Sequence, residues 1–305
     1  MEFLYFLEGI RNPVLDAVFS FITEFGGETV FLAIAMYLYW CVDKKKGYYL
    51  MAVGFVGTLA NQFLKLYCRV PRPWIRDPEF TIVESAREGA SGYSFPSGHS
   101  QNSVGTFGVV ARDNRNKWGK WLSIALCVLV PFSRMYLGVH TPADVLVGSG
   151  MALACIFLMK PLIYGREGRN IPILFSVMTV LSAAFLVYTE VFPFPDDIDA
   201  HNLESAAKNS YTLLGAMLGM IVAYYADTKK IHFPTDGVWY AQLGKLLGGL
   251  VLVLAVKEGM KAPLEALFAG HMAARAVRYF LIVIIAGVFW PMTFRWFAGL
   301  GKKER

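Results

Sequence analysis

Residues 171–192, IPILFSVMTVLSAAFLVYTEVF, decide the class of fold. The stretch carries one charged side chain, Glu190, and crossing a hydrocarbon core of about 30 Å takes about 20 helical residues. Comparable runs recur along the chain. Of 305 residues, 55% are hydrophobic and 17% charged, and the mean hydropathy is +0.44. A soluble chain usually carries about a quarter charged residues. A soluble enzyme, a disordered chain and a disulfide scaffold are poor readings of this composition. The sequence predicts an all-α, polytopic transmembrane helix bundle.

About nine spans are expected, near 28–42, 47–66, 99–111, 120–139, 142–163, 171–192, 208–226, 240–257 and 275–298. The first and third are short for a full crossing. Residues 1–24 alternate aromatic and aliphatic positions with Glu2, Glu8, Arg11 and Asp16. This suggests a helix lying in the membrane interface, with a tenth, shorter span as the alternative. MEFLYFLEGIRNP lacks a basic start, an apolar core and a small-residue cleavage site, so no removable signal peptide is expected. Cys41, Cys68, Cys127 and Cys155 fall singly and define no disulfide framework.

The net charge of +6 reflects loop charges that set orientation, and no nucleic-acid partner is expected. If residues 28–42 run inward, the inner segments hold sixteen Lys and Arg against eleven in the outer ones. The outer segment 194–209 is acidic, with Asp196, Asp197, Asp199 and Glu204. The positive-inside rule then places the N-terminus outside and the C-terminus in the cytoplasm. The chain reads as one membrane domain, with a functional division between residues 1–165 and 166–305.

Everything chemically unusual lies before that division, at the outer helix ends. Lys65 ends the second span, and Arg72 follows in RVPRP, where two prolines stop the helix. Ser97, Gly98 and His99 open the third span in FPSGHS. Ser133 and Arg134 close the fourth, and His140 and Asp144 bracket the turn VHTPAD. Three cations without a matching set of acids imply an anionic ligand. The helix start at Ser97 adds amide donors and a positive dipole end, and phosphate fits best.

Taken singly, these residues have plainer readings: Ser97 as a helix cap, Lys65 as a snorkelling lysine, Arg134 as an interface anchor, and Thr141-Pro142-Ala143-Asp144 as a helix start. Jointly, Lys65-x6-Arg72-Pro73, Pro96-Ser97-Gly98-His99 and Ser133-Arg134-x5-His140-x3-Asp144 form an ordered set over residues 60–145. This set resembles the three-part signature of the type 2 phosphatidic acid phosphatase superfamily at every defining position.

The resemblance implies a catalytic core of that kind. His140 would attack phosphorus, Asp144 would hold the other ring nitrogen of His140, and His99 would protonate the leaving oxygen. Lys65, Arg72, Arg134, Ser97 and Gly98 would bind phosphate. The superfamily looks metal-independent, so no cofactor or metal is expected and activity should persist in EDTA. His140 is expected at a wet helix end, outside the core.

Other residues have plainer readings. Asn61 and Gln62 read as helix–helix hydrogen-bonding groups. DDIDAH with His201 reads as an acidic loop more readily than as a metal site. Trp74, Arg76, Glu84, Arg87 and Glu88 lie in a long loop that forms a lid or covers helix ends. His271, Arg275 and Arg278, near the outer end of the last span, meet a lipid headgroup or simply anchor a helix.

The expected substrate, and the expected partner, is a lipid phosphate within the membrane; nothing defines an oligomeric state. The nine-span layout is similar to that of sphingosine-1-phosphate phosphatases and glucose-6-phosphatases, so a sphingosine-1-phosphate-like lipid is a plausible substrate. The alternatives are an undecaprenyl pyrophosphate phosphatase, a sugar-phosphate phosphatase, or a lipid phosphotransferase using the same phosphohistidine. An anion transporter would not need the His140–Asp144 pair. The lack of N-x-S/T sequons favours a prokaryotic plasma membrane, with the site facing its extracytoplasmic side.

Overall fold

The computed structural model describes residues 1–301 apart from Asp197. Asp197 of the acidic segment and the basic tail residues 302–305 lie outside the described residues. No strand occurs among the described residues. In chain order the helices are α1 (Glu2–Gly9), α2 (Pro13–Glu24), α3 (Glu28–Tyr37, prolonged by a π-helical turn to Val42), α4 (Lys44–Cys68), α5 (Pro73–Arg76), α6 (Gly98–Asp113) and α7 (Lys117–Tyr136). There follow α8 (Pro142–Tyr164), α9 (Ile171–Val191), α10 (Ala200–Ala226), α11 (Trp239–Gly259), α12 (Lys261–Leu267), α13 (Ala273–Ile284) and α14 (Phe294–Gly299).

Each of the nine expected apolar segments is helical over most of its length. Four stretches are long and apolar enough to cross a membrane: Pro142–Tyr164, Ile171–Val191, Trp239–Leu267 and Ala273–Gly299. A fifth is Pro13–Glu24 with Glu28–Val42, if this pair, bent by 43°, counts as one span. Helix α6 has only 16 residues. Helices α4, α7 and α10 carry polar residues, Lys65 and Arg134 among them, that lower their hydropathy.

The chain divides into two compact units. The first comprises Met1–Leu32, Tyr49–Pro161 and Phe194–Ala206. Here α7 packs against α6 and against α1 and α2. Residues 1–24 form two helices, not one. Asn12 starts α2 by accepting from the Val14 and Leu15 amides at 3.2 and 3.0 Å, with Pro13 at the first helical position. The polar residues of this segment are used: Tyr136 donates to Asp16 at 2.8 Å, and Arg11 Nε donates to the Tyr136 carbonyl at 2.9 Å. The Phe19 ring lies 4.3 Å from that of Tyr136.

Gly148 of α8 sits against the FPSGHS turn. A Cβ there would come within 2.5 Å of the Ser97 carbonyl, so α8 can approach only because position 148 has no side chain. Gly148→Ala is expected to cost about 1–3 kcal/mol, as overpacking does, and to displace Ser97 and its helix start. Thermal denaturation and turnover should fall together; a variant with unchanged melting temperature and activity would show that the close approach is dispensable.

The second unit comprises Ala33–Tyr48, Leu162–Pro193 and Ala207–Arg305. Trp40 is fully buried and its Nε1 donates to the Ala286 carbonyl at 2.9 Å. Lys44 pairs with Asp227 at 2.6 Å. On α10, Gly215, Gly219 and Ala223 recur every four residues; the two glycines face α13, and Ala223 faces Gly287 in the π-helical turn that follows it. A Cβ at Gly215 would meet the Ala276 carbonyl at 2.0 Å, and one at Gly219 the Phe280 carbonyl at 3.0 Å. Small residues let two membrane helices approach backbone to backbone in this way.

Candidate active site

The spacing of Arg134, His140 and Asp144 follows from two helix ends back to back. The α7 C-terminus closes as a Schellman turn: the Val139 amide donates to the Arg134 carbonyl at 3.1 Å, and the Gly138 amide to the Met135 carbonyl at 3.0 Å. Gly138 takes φ +83°, and a Cβ on it would also meet Arg11 Nη2 at 2.7 Å. The α8 N-terminus opens as a capping box. The Asp144 amide donates to Thr141 Oγ1 at 3.3 Å, and the Thr141 amide donates to Asp144 Oδ2 at 2.8 Å. His140 is pinned between the two motifs. The plain reading of Asp144 as a helix-start residue is therefore correct; the same Oδ2 also lies 3.4 Å from His140 Nδ1, with no hydrogen bond in this geometry.

Arg72 meets the other face of the His140 ring. Its Nη1 lies 2.9 Å from His140 Nε2. A guanidinium has only donors, so Nε2 is the accepting nitrogen and the neutral ring carries its proton on Nδ1, toward Asp144. Three carbonyls hold Arg72 in place: Gly92 at 3.0 Å, Ser91 at 2.8 Å and Val139 at 2.9 Å. Lys65 donates to the Tyr93 carbonyl. The long loop after α4 thus wraps the cations with its backbone. On it, Trp74 lies between Arg72 and Arg87, whose guanidinium carbons are 5.9 and 5.5 Å from the ring centroid. Arg87 is held by Glu84 at 2.7 Å, while Arg76 and Glu88 are exposed.

Ser97 caps α6, its Oγ accepting from the Ser100 hydroxyl at 2.9 Å, and its amide donates to the Asp144 carbonyl at 2.9 Å. Gly98 is the first residue of α6 and His99, half-buried, the second. Asn61 donates to the Pro96 carbonyl at 3.3 Å, supporting the same turn. The backbone ties FPSGHS to VHTPAD, and Arg72 ties RVPRP to the latter through Val139.

The surroundings of this cluster differ from the expected wet helix end. His140 is 2% exposed, Asp144 1%, Arg134 1% and Arg72 4%. Arg134 is no interface anchor and Lys65, also buried, does not snorkel, because the loop after α4 and helix α2 cover what hydropathy alone left open. Burial pushes the His140 ring below its ordinary range, and the charges of Arg72, Arg134, Lys65 and His99 push the same way. Burial likewise lowers Arg72, to about 10, leaving it charged at neutral pH. Arg134 keeps Nε and Nη2 buried without partners. Orphaned buried donors are costly, and an oxyanion would satisfy them.

Two side chains in the cluster carry no signal in the motif spacings. Ser94 donates to Asp144 Oδ2 at 2.6 Å; it stands in GYSFPSGHS like any other loop serine. Thr23, at the end of α2, accepts from Arg134 Nη1 at 2.8 Å across 111 positions. Thr23→Val is expected to lower kcat/KM about tenfold, the value of one charge-assisted hydrogen bond, with Thr23→Ser near wild type. Equal activity in both would make the contact incidental.

Among the described residues, no group of three or more His, Cys, Asp or Glu could hold a metal ion, which includes His201 and its described neighbours. What the cluster can do is bind a phosphoryl group between three cations and present it to an imidazole lone pair.

Residues 45–167 match the family described as the PAP2 superfamily, and residues 211–303 match its phosphatase transmembrane extension. The phosphatidylglycerophosphatase B of Bacillus subtilis is 31% identical over 164 residues, covering 50% of this chain and 76% of that protein. A lipid A 4'-phosphatase of Porphyromonas gingivalis is 28% identical over 53% of this chain and 72% of its own length. The rat sphingosine-1-phosphate phosphatase 1 is 26% identical over 84% of this chain and 62% of its own. No solved structure matches the chain.

Proposed function

The chain belongs to the type 2 phosphatidic acid phosphatase (PAP2) superfamily, and from that premise we propose that it releases phosphate from a membrane lipid through a phosphohistidine at His140. It is an integral membrane phosphoric ester hydrolase. The observation that carries the mechanism is the fixed polarity of the His140 ring, with Nε2 accepting beside Arg72 and Nδ1 facing Asp144.

In the first step Arg72 Nη1 exchanges its hydrogen bond to Nε2 for a phosphate oxygen, and the freed Nε2 lone pair bonds to phosphorus while the bond from phosphorus to the lipid oxygen breaks. His99 gives that oxygen its proton. Asp144 stabilises the charge that develops on the ring, itself held by Ser94 and the Thr141 amide. In the second step a water passes its proton to His99 and attacks phosphorus, the P–N bond breaks, and His140 is restored. Arg72, Arg134, Lys65, Ser97 and the Gly98 amide stabilise the equatorial oxygens throughout. The chemistry of this donor set calls for no metal.

The substrate class is a lipid phosphate monoester or pyrophosphate. The relatives named above act on lipid phosphates, and the length over which the rat sphingosine-1-phosphate phosphatase matches supports a similar lipid. On this reading the apolar runs give nine crossings, the loop charges an outer N-terminus and a site on the extracytoplasmic face, and the lack of N-x-S/T sequons a prokaryotic plasma membrane. On this reading residues 1–165 form the catalytic core and 166–305 add accessory spans.

The test is phosphate release in detergent with EDTA from sphingosine-1-phosphate, phosphatidic acid, undecaprenyl pyrophosphate and glucose-6-phosphate. Release from a lipid substrate, blocked by millimolar vanadate as a mimic of five-coordinate phosphorus, is expected. Folded protein that releases phosphate from none of them, or that transfers it to a hydroxyl acceptor, would overturn the hydrolase reading.

A further inference from the structure

We propose that the second unit carries an anion site of its own, for a phosphate group, where α10 meets the first turns of α13. Arg275 and Arg278 form it, with His271 as a third donor.

Two arginines in the first turns of a helix face the positive end of its dipole, where cations are disfavoured. Both also border one ring, Tyr279, with guanidinium carbons 5.6 Å from its centroid. Among the described residues, neither is ion-paired with a carboxylate. Arg278 is 7% exposed and its Nε is buried without a partner. Such a group costs stability unless something satisfies it.

The donors are also held in place. Arg275 Nε donates to Thr212 Oγ1 at 2.7 Å, which fixes its planar fork. His271 Nδ1 accepts from the Ala273 amide at 3.0 Å, so the neutral ring presents Nε2–H as a donor. Its ring packs edge-on against Tyr211 at 6.1 Å. The close contact of Gly215 with Ala276 locks Thr212 and Arg275 onto facing turns. Two forks and an imidazole N–H with no ion-paired acid suit a phosphate oxyanion. His271 faces a backbone amide where a nucleophilic histidine would need a carboxylate, so the site binds and does not react. The phosphate could belong to a lipid headgroup or be free in solution.

Equilibrium binding to the purified full-length protein in neutral detergent tests this with two probes, inorganic phosphate and dioctanoylphosphatidylglycerol. Wild type, Arg275→Gln, Arg278→Lys and Arg72→Lys are compared, each first checked for a single gel-filtration species. Arg278→Lys keeps the buried charge while losing the fork, and Arg275 is only half-buried, so folding should survive. The expected result is one bound equivalent that persists in Arg72→Lys and weakens about tenfold in Arg275→Gln, the loss of one charge-assisted contact. Tighter binding of phosphatidylglycerol than of phosphate to that equivalent identifies a lipid headgroup; the reverse identifies free phosphate. A wild type lacking that equivalent, or one unaltered in both Arg275→Gln and Arg278→Lys, overturns the proposal. Because Arg72→Lys probes the catalytic pocket separately, a failure here is distinguishable from a failure of the phosphatase reading.

Discussion

His140→Asn protein is expected to fold as wild type does and to turn over at least about a thousandfold more slowly, since the group that would form the covalent intermediate is gone. Asparagine is preferred to alanine because His140 is buried, and truncation would leave a void beside Arg72. Rapid quenching with a radiolabelled substrate should leave label on the wild-type chain and none on the variant. A folded variant that hydrolyses at the wild-type rate would sink the nucleophile assignment. The pH profile offers a second check. Burial and neighbouring cations hold the ring neutral below the ordinary histidine range, so its lone pair stays available as pH falls. The acid limb of kcat/KM that reports His140 should therefore lie below about 6.5, the unperturbed histidine value.

The second large effect is expected from Arg72→Lys, which keeps the charge. A lysine cannot reproduce contacts to three carbonyls and His140 Nε2 at once. The loop carrying Ser91 and Gly92 loses its anchor, and the phosphoryl group loses a fixed fork. A fall of about 100- to 1,000-fold in kcat/KM is expected, the scale on which removal of a preorganised donor acts. Vanadate inhibition should weaken in parallel. Unchanged vanadate affinity would mean that Arg72 braces the loop without touching the anion.

The helical class and the positions of the main helices were legible because apolar runs report directly on membrane depth. The three motifs were legible because each lies within one loop or at one helix end, where local chemistry fixes spacing: a Schellman turn and a capping box separate Arg134, His140 and Asp144. What escaped is what the tertiary fold alone brings together. Thr23 reaches Arg134 from a distant helix, and Ser94 has no pattern to mark it. The burial of His140 escaped as well, since local hydropathy cannot see a loop folding over a helix end.

The cross-ties among the three motifs have a consequence for how the protein is made. Arg72 takes its contacts from Val139 and His140, Ser97 hangs from the Asp144 carbonyl, and Gly148 backs the Ser97 turn. Once residue 140 has been made, the chain already holds every partner of Lys65, Arg72 and Arg134 described above, but neither Asp144 nor Gly148, which lie in α8. The Ser97 turn, with its amide donors, is therefore the last part of the phosphate ring to gain its support, and it gains it from α8.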